Sequence, residues 1–269
     1  MTSKQPNVRW TREHALIALN LYCKLPFGKL HKGNPIIIET AKRLGRTANS
    51  LAMKLCNFAS LDPIQRARGI GGLPNVSQQD RQLWADFLED STTLGEESEE
   101  LIHNLFTKEA SKELDFLDRD NVRTEIRPYP NGVPTEGTAT VKIRRGQQFF
   151  RQSILNAYDL RCCISGIGVP SLLVASHIMP WRDFPNERLN PSNGLCLSSL
   201  HDAAFDSGLI TLNDGLCLVL SKRLRSYLPQ AALDYNFESF EGTPIRLPEK
   251  LAKPDPKFLD YHRRIIFQK

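Results

Sequence analysis

Apolar residues in the first part of the chain recur at helical spacing. In TREHALIALNLYCKL, residues 11–25, Ala15, Leu16, Leu19 and Tyr22 fall on one stripe, and Thr11 is placed to cap the N-terminus. NPIIIETAKRLG carries a second stripe through Ile37, Ala41 and Leu44, with Asn34 as cap, Pro35 at the first helical position and Gly45 as its end. After a turn of Gly45, Arg46 and Thr47, a third stripe runs through Leu51, Leu55 and Phe58. Two helices joined by a short glycine-containing turn match a helix-turn-helix pattern. Its second helix is then expected to turn Asn49, Ser50, Lys54 and Asn57 outward, with Arg46 at its start. These types bond phosphates and base edges; the competing reading is the plain polar face of a helical bundle.

Residues 62–75 are punctuated by Gly and Pro and read as a connector. Ser77 is placed to cap an amphipathic helix through Leu83, Trp84, Phe87 and Leu88, and a second helical stretch spans 96–117. Residues 121–138 are rich in Pro and Gly and form the expected linker between domains. Beyond it the period changes. A helix over roughly 146–159 would pack Phe149, Phe150, Ile154 and Tyr158, with Arg144, Arg145 and Arg151 adding positive charge. Short strands follow at 172–177 and 194–197, then a hairpin over 209–220 that turns at Asn213, Asp214 and Gly215. The expected fold class is α+β: a helical, helix-turn-helix-like domain over 1–120 and a second domain over 139–269.

Charge alters this picture more than composition does. The net charge of +5 hides a segregation: residues 1–75 hold twelve Lys or Arg against three acids, and residues 76–120 hold four against thirteen. A basic N-terminal surface suits a polyanion, and the acidic block could pack against it or solvate a helix. The six cysteines form no C-x-x-C pair, and adjacent Cys162 and Cys163 cannot readily ligate one tetrahedral ion, so reduced thiols are expected. No run approaches the roughly eighteen apolar residues of a membrane span, and the N-terminus lacks a signal-peptide core. The cytoplasm is the expected location, with no membrane partner.

The chemistry concentrates in three phrases: VASHIMPW, NPSNGLCLSSLHDAAFD and the hairpin after Gly208. His177 closes a strand, Asn193 lies sixteen residues on, and His201 eight further, on an expected helix. With GQQFFRQSILNAY upstream and LHDAAFDSGLI downstream, residues 142–212 resemble the HNH endonuclease family, in the branch of restriction-type enzymes. That resemblance implies a ββα-metal core that cleaves phosphodiesters. It gives His177 the role of general base, Asn193 that of a brace for the loop bearing it, and His201 that of metal ligand. Asp206 is near enough in sequence to help His201, Asp202 less obviously so. The implied cofactor is one divalent ion, Mg²⁺ or another first-row metal.

Imidazole titrates near neutrality and can take a proton from water, and phosphodiester hydrolysis needs positive charge on the developing oxyanion. The pattern departs from the family at Ser176, a feeble ligand where an acidic or imidazole residue is usual, and at Phe205, four residues past His201. Ser165 and Ser199 stand where the zinc-stabilised form has its second cysteines, so no structural zinc is expected. The whole chain is expected to be a metal-dependent DNA endonuclease, restriction-type or modification-dependent. Double-strand cleavage from one site per chain would call for a homodimer. Two rivals remain: a DNA-binding protein with a degenerate HNH core, and an N-terminal domain that senses another signal and gates the nuclease.

Overall fold

Thr11 accepts a hydrogen bond from the His14 amide and starts α1 (Arg12–Lys24). The computed structural model describes residues 9–71, 76–107 and 138–269. Asn34 and Pro35 open α2 (Pro35–Arg43) as expected, Gly45 turns the chain at φ +64°, and Thr47 caps α3 (Ala48–Leu61). A short α4 (Pro63–Ala67) precedes α5 (Gln78–Glu89), capped by Ser77, and α6 (Ser91–Thr107). Of the stripe expected on α5, Leu88 is half-exposed while Leu83, Trp84 and Phe87 are buried.

The first helix departs from a one-stripe expectation, because every residue from Ala15 to Lys24 is buried. It lies in the centre, with α3, α5, α6 and α7 (Thr138–Ala157) packed around it. A helix enclosed on all sides must satisfy its polar groups internally. Asn20 Nδ2 donates to Ser98 Oγ at 2.7 Å and to Glu99 Oε1 at 2.6 Å, and Lys24 pairs with Glu99. Tyr22 donates to Asp62 at 2.5 Å and packs edge-on against Trp84, ring centres 5.7 Å apart. The acidic block thus packs onto the basic one.

The C-terminal part reaches into the same core. Lys250, fully buried, donates through Nζ to the carbonyls of Tyr22, Cys23 and Leu25 at 2.5–2.7 Å, which are groups the end of α1 leaves unpaired. Burial pulls its ammonium down to about 8. The expected linker, 121–138, lies outside the described residues except for Thr138, which opens α7.

α7 runs into two small antiparallel sheets. In the first, β1 (Leu173–His177) pairs with β2 (Gly194–Ser198), Leu173 opposite Ser198 and His177 opposite Gly194. α8 (Ser199–Asp206) follows β2 directly, its N-terminus capped by Ser198. β3 (Ile210–Leu212) pairs with β4 (Leu218–Leu220) in the second sheet. The chain ends with α9 (Lys222–Arg225), α10 (Ala231–Asn236), α11 (Pro256–Tyr261) and a π-helical turn, His262–Ile266. That turn props α8: His262 stacks on Phe205 at 3.7 Å and donates from Nε2 to the Phe205 carbonyl at 3.0 Å. The arrangement is α+β, and among the described residues no helix is long and apolar enough to cross a membrane.

Candidate active site

His177 ends β1 with its ring stacked on Phe150 of α7, centres 3.9 Å apart and planes 13° from parallel. Gly194 makes this approach feasible. A Cβ there would stand 2.4 Å from Ile154 Cδ1 and 2.9 Å from Phe150 Cζ, so only glycine lets α7 lie this close to the strand end. Trp181, in the Pro180–Trp181 corner, meets the same imidazole edge-on at 5.3 Å. Nε2 of His177 lies 2.9 Å from the Arg188 carbonyl. A carbonyl only accepts, so Nε2 carries the proton and Nδ1 is left as the lone-pair acceptor. Burial lowers the pKa of this histidine; its bond to the Arg188 carbonyl opposes that, and the Arg188 charge adds to the lowering.

Asn193 is buried, and its carboxamide is fully occupied by the loop between the strands. Oδ1 accepts from the Met179 amide at 2.8 Å, and Nδ2 donates to the carbonyls of Met179 (3.2 Å) and Glu187 (3.1 Å). Its own carbonyl accepts from the Ile178 amide. These bonds tie the residues just after His177 to those just before Arg188.

His201 corrects the sequence expectation. It is fully buried, with Nε2 donating to the Asn236 carbonyl at 2.8 Å and Nδ1 accepting from Ser198 Oγ at 2.7 Å, so neither nitrogen is open to a metal. Ser198 stands at the opposite end of the hairpin from His177, four strand residues or about 13 Å away. The two rings therefore do not face one phosphate. The physical reason is local: His201 lies in the first turn of α8 with its ring turned to the cap Ser198 and to the Asn236 carbonyl, whereas the next residue, Asp202, projects from a different side of the helix.

Asp202, in the first turn as well, and Asp206 are four residues apart and so lie on one face of α8. The buried Ser176 hydroxyl has no partner in good hydrogen-bond geometry, yet it lies close enough to hold Asp202 down against the rise that burial imposes. Asp206 is pushed up to about 6, by burial first and then by the charge of Asp202. Among the described residues no group of three or more His, Cys, Asp or Glu could hold a metal ion. Two carboxylates on one helix face, with the Ser176 hydroxyl beside Asp202, offer hard oxygen donors of the kind Mg²⁺ takes, since that ion uses one or two carboxylates and completes its shell with water and phosphate oxygens. Paired aspartates at helical spacing in LHDAAFD were the signal that could have placed Asp202 beside Asp206.

The nucleic-acid candidates divide. Lys54, expected to face outward, is buried and donates to Asp80 at 2.6 Å, and Asn57 donates to the same carboxylate at 3.1 Å. Packing of α5 on α3 closes that face and corrects both assignments. Arg46 lies over the Trp10 ring at 3.9 Å and donates to the Arg9 carbonyl. Asn49 is exposed and Ser50 half-buried. Arg144 and Arg145 fall on α7, but their side chains lie outside the described residues.

A two-stranded hairpin backed by one helix, with an imidazole at the strand end and an asparagine bracing the loop, has the form of a small ββα nuclease core. Residues 162–213 match the model of the HNH endonuclease family, which bears out for this segment the resemblance read from the sequence. No curated protein matches the chain. Among solved structures it is similar to one described as a modification dependent TagI restriction endonuclease, at 22% identity and a TM-score of 0.32, over 42% of this chain and 36% of that one. The chain thus spans only about a third of the length of that structure.

Proposed function

We propose that the protein is a metal-dependent DNA endonuclease whose base is His177 and whose cation is held by Asp202 and Asp206. The observation that carries this reading is the tautomer of His177. Its proton is committed to the Arg188 carbonyl at 2.9 Å, which leaves Nδ1 ready to accept one from water. Phe150 and Trp181 fix the ring, and Asn193 fixes the loop behind it. A bound divalent cation supplies Lewis acidity to the phosphate and offsets charge on the leaving oxygen. Adjacent strand residues project to opposite faces, so His177 and the Ser176–Asp202 side flank the strand end. In-line displacement calls for a base on one side of phosphorus and charge stabilisation on the other.

On this reading the N-terminal helices meet DNA through Arg46, Asn49 and Ser50 and not through Lys54 or Asn57. A restriction-type role and a homodimer are supported by the sequence resemblance and by the need for two cuts. A second reading, a DNA binder with an inactive core, is favoured by the loss of His201 as a ligand and by Ser176. Supercoiled plasmid incubated with Mg²⁺ or Mn²⁺, with and without chelator and beside His177→Ala, separates the two. Nicking by the unaltered protein alone supports the nuclease; retardation without nicking supports the binder.

A further inference from the structure

Arg188 sits half-buried in the loop that closes over the end of β1. Its Nε donates to the Trp181 carbonyl at 2.9 Å, and its guanidinium carbon lies 4.9 Å from the centre of the Trp181 ring. One edge of the planar fork is thus fixed by main chain and one face by the indole. The same indole packs on His177, and the carbonyl of Arg188 holds His177 Nε2, so the guanidinium and the imidazole share two supports. Other arginines in the chain reach carboxylates: Arg12 pairs with Glu97, Arg43 with Glu39, Arg225 with Glu241 and Arg263 with Asp214. Arg188 does not. Among the described residues no carboxylate pairs with it, and its two terminal nitrogens have no hydrogen-bond partner. A guanidinium held this firmly and left without an anion is shaped for one from outside, and its flat pair of donors matches two phosphate oxygens.

We propose that Arg188 is a catalytic residue whose terminal nitrogens grip the non-bridging oxygens of the scissile phosphodiester and hold phosphorus in front of His177 Nδ1. This rests on the nuclease reading above. In the step, a water oxygen bonds to phosphorus as the bond to the leaving oxygen breaks. The water's proton passes to His177, and the departing oxygen takes a proton from solvent. Arg188 forms no covalent bond and stabilises the charge on the non-bridging oxygens.

The tether of His177 runs to the main chain of residue 188, so replacing the side chain leaves the base held. Two readouts on the full-length protein test the proposal: metal-free binding of a short duplex across a salt series, and Mg²⁺-dependent plasmid cleavage. Arg188→Gln is expected to lower the slope of log affinity against log salt by about one and to slow cleavage by about 100-fold. Arg188→Lys keeps the charge and therefore the slope, and cleaves at an intermediate rate because it lacks the fork. Wild-type slope and rate in Arg188→Gln overturn the proposal. So does a lost rate at unchanged slope, which marks a structural role, or a reduced slope at unchanged rate, which places the contact away from the cut. If the unaltered protein binds but never cuts, the nuclease reading fails on its own; a lower slope then still supports the phosphate grip, and an unchanged one overturns it. Unaltered protein that neither binds nor cuts DNA overturns both.

Discussion

His177 gives its Nε2 proton to the carbonyl of Arg188 at 2.9 Å, and that one bond decides which nitrogen can act as a base. Burial lowers the pKa of the ring, so the reactive neutral form persists to pH values below the ordinary 6.5. Cleavage should therefore lose activity on the acid side with a midpoint under 6.5, and His177→Ala should lose about 100-fold or more. The stability sign follows. A depressed folded-state pKa means the contribution is full above 6.5 and is lost as pH falls through the folded value. A pH–rate profile with its acid limb at or above 6.5 would remove His177 from the role of base.

Asp202 and Asp206 lie one turn apart on the same face of α8, close enough for the charge of Asp202 to raise Asp206, whereas His201 is spent on Ser198 and Asn236. Asp202→Asn and Asp206→Asn should each weaken Mn²⁺ binding, measured by calorimetry with duplex present, and each should slow cleavage by about 100-fold. His201→Ala should leave Mn²⁺ affinity alone and cost about 3 kcal/mol of stability, since it opens a cavity and strands buried polar partners. The opposite pattern, metal lost with His201 and kept without the aspartates, would return the ligand role to His201.

How much of this could be read in advance depended on how local the signal was. His177 sits at the end of β1 and Asn193 in the short 3-10 turn that leads into β2, places marked by their immediate neighbours. The caps Thr11, Asn34 and Ser77 are local in the same sense. Which face of an eight-residue helix meets the hairpin is a tertiary matter, and His201 and Asp202 differ by only one position. Asn20 and Lys24 look like solvent residues until α6, nearly eighty residues on, supplies Ser98 and Glu99. Arg188 has no periodic neighbour and no motif partner, so nothing in the chain marked it before the loop was seen folded over Trp181.

Lys54 and Asp80 form a buried ion pair, their side chains 5% and 0% exposed. Removing one partner leaves the other charged and unpaired in the interior, so Lys54→Met should cost about 3–5 kcal/mol in urea denaturation. Replacing both, as Lys54→Met with Asp80→Leu, should recover much of that loss, because an apolar pair carries no desolvation penalty. The salt dependence of DNA binding should be unchanged in the folded Lys54→Met protein. A slope lower by about one would show that Lys54 leaves Asp80 for phosphate after all.

Gly95 of α6 touches the loop that carries Arg188. A Cβ at this position would stand 2.9 Å from Leu189 Cδ1 and 3.1 Å from Phe149 Cε1, both residues being 1% exposed and without room to retreat. One turn earlier, Thr92 donates to the Asn186 carbonyl at 2.8 Å and accepts from the Leu189 amide at 3.2 Å. The N-terminal helices thus grip residues 186–189 from behind, and the carbonyl that orients His177 belongs to that stretch. Gly95→Ala should overpack the contact, costing about 1–3 kcal/mol, and should displace the loop by a few tenths of an ångström or more. The larger effect falls on catalysis: cleavage should slow by about tenfold or more while duplex affinity stays within a factor of two, because orientation of a base is more sensitive to displacement than phosphate binding is. Thr92→Val, which deletes both hydroxyl bonds without adding bulk, should slow cleavage in the same direction. Thermal melts and single-turnover rates measured together decide it, and full cleavage by a destabilised Gly95→Ala protein would show that α6 supports the fold without setting the site.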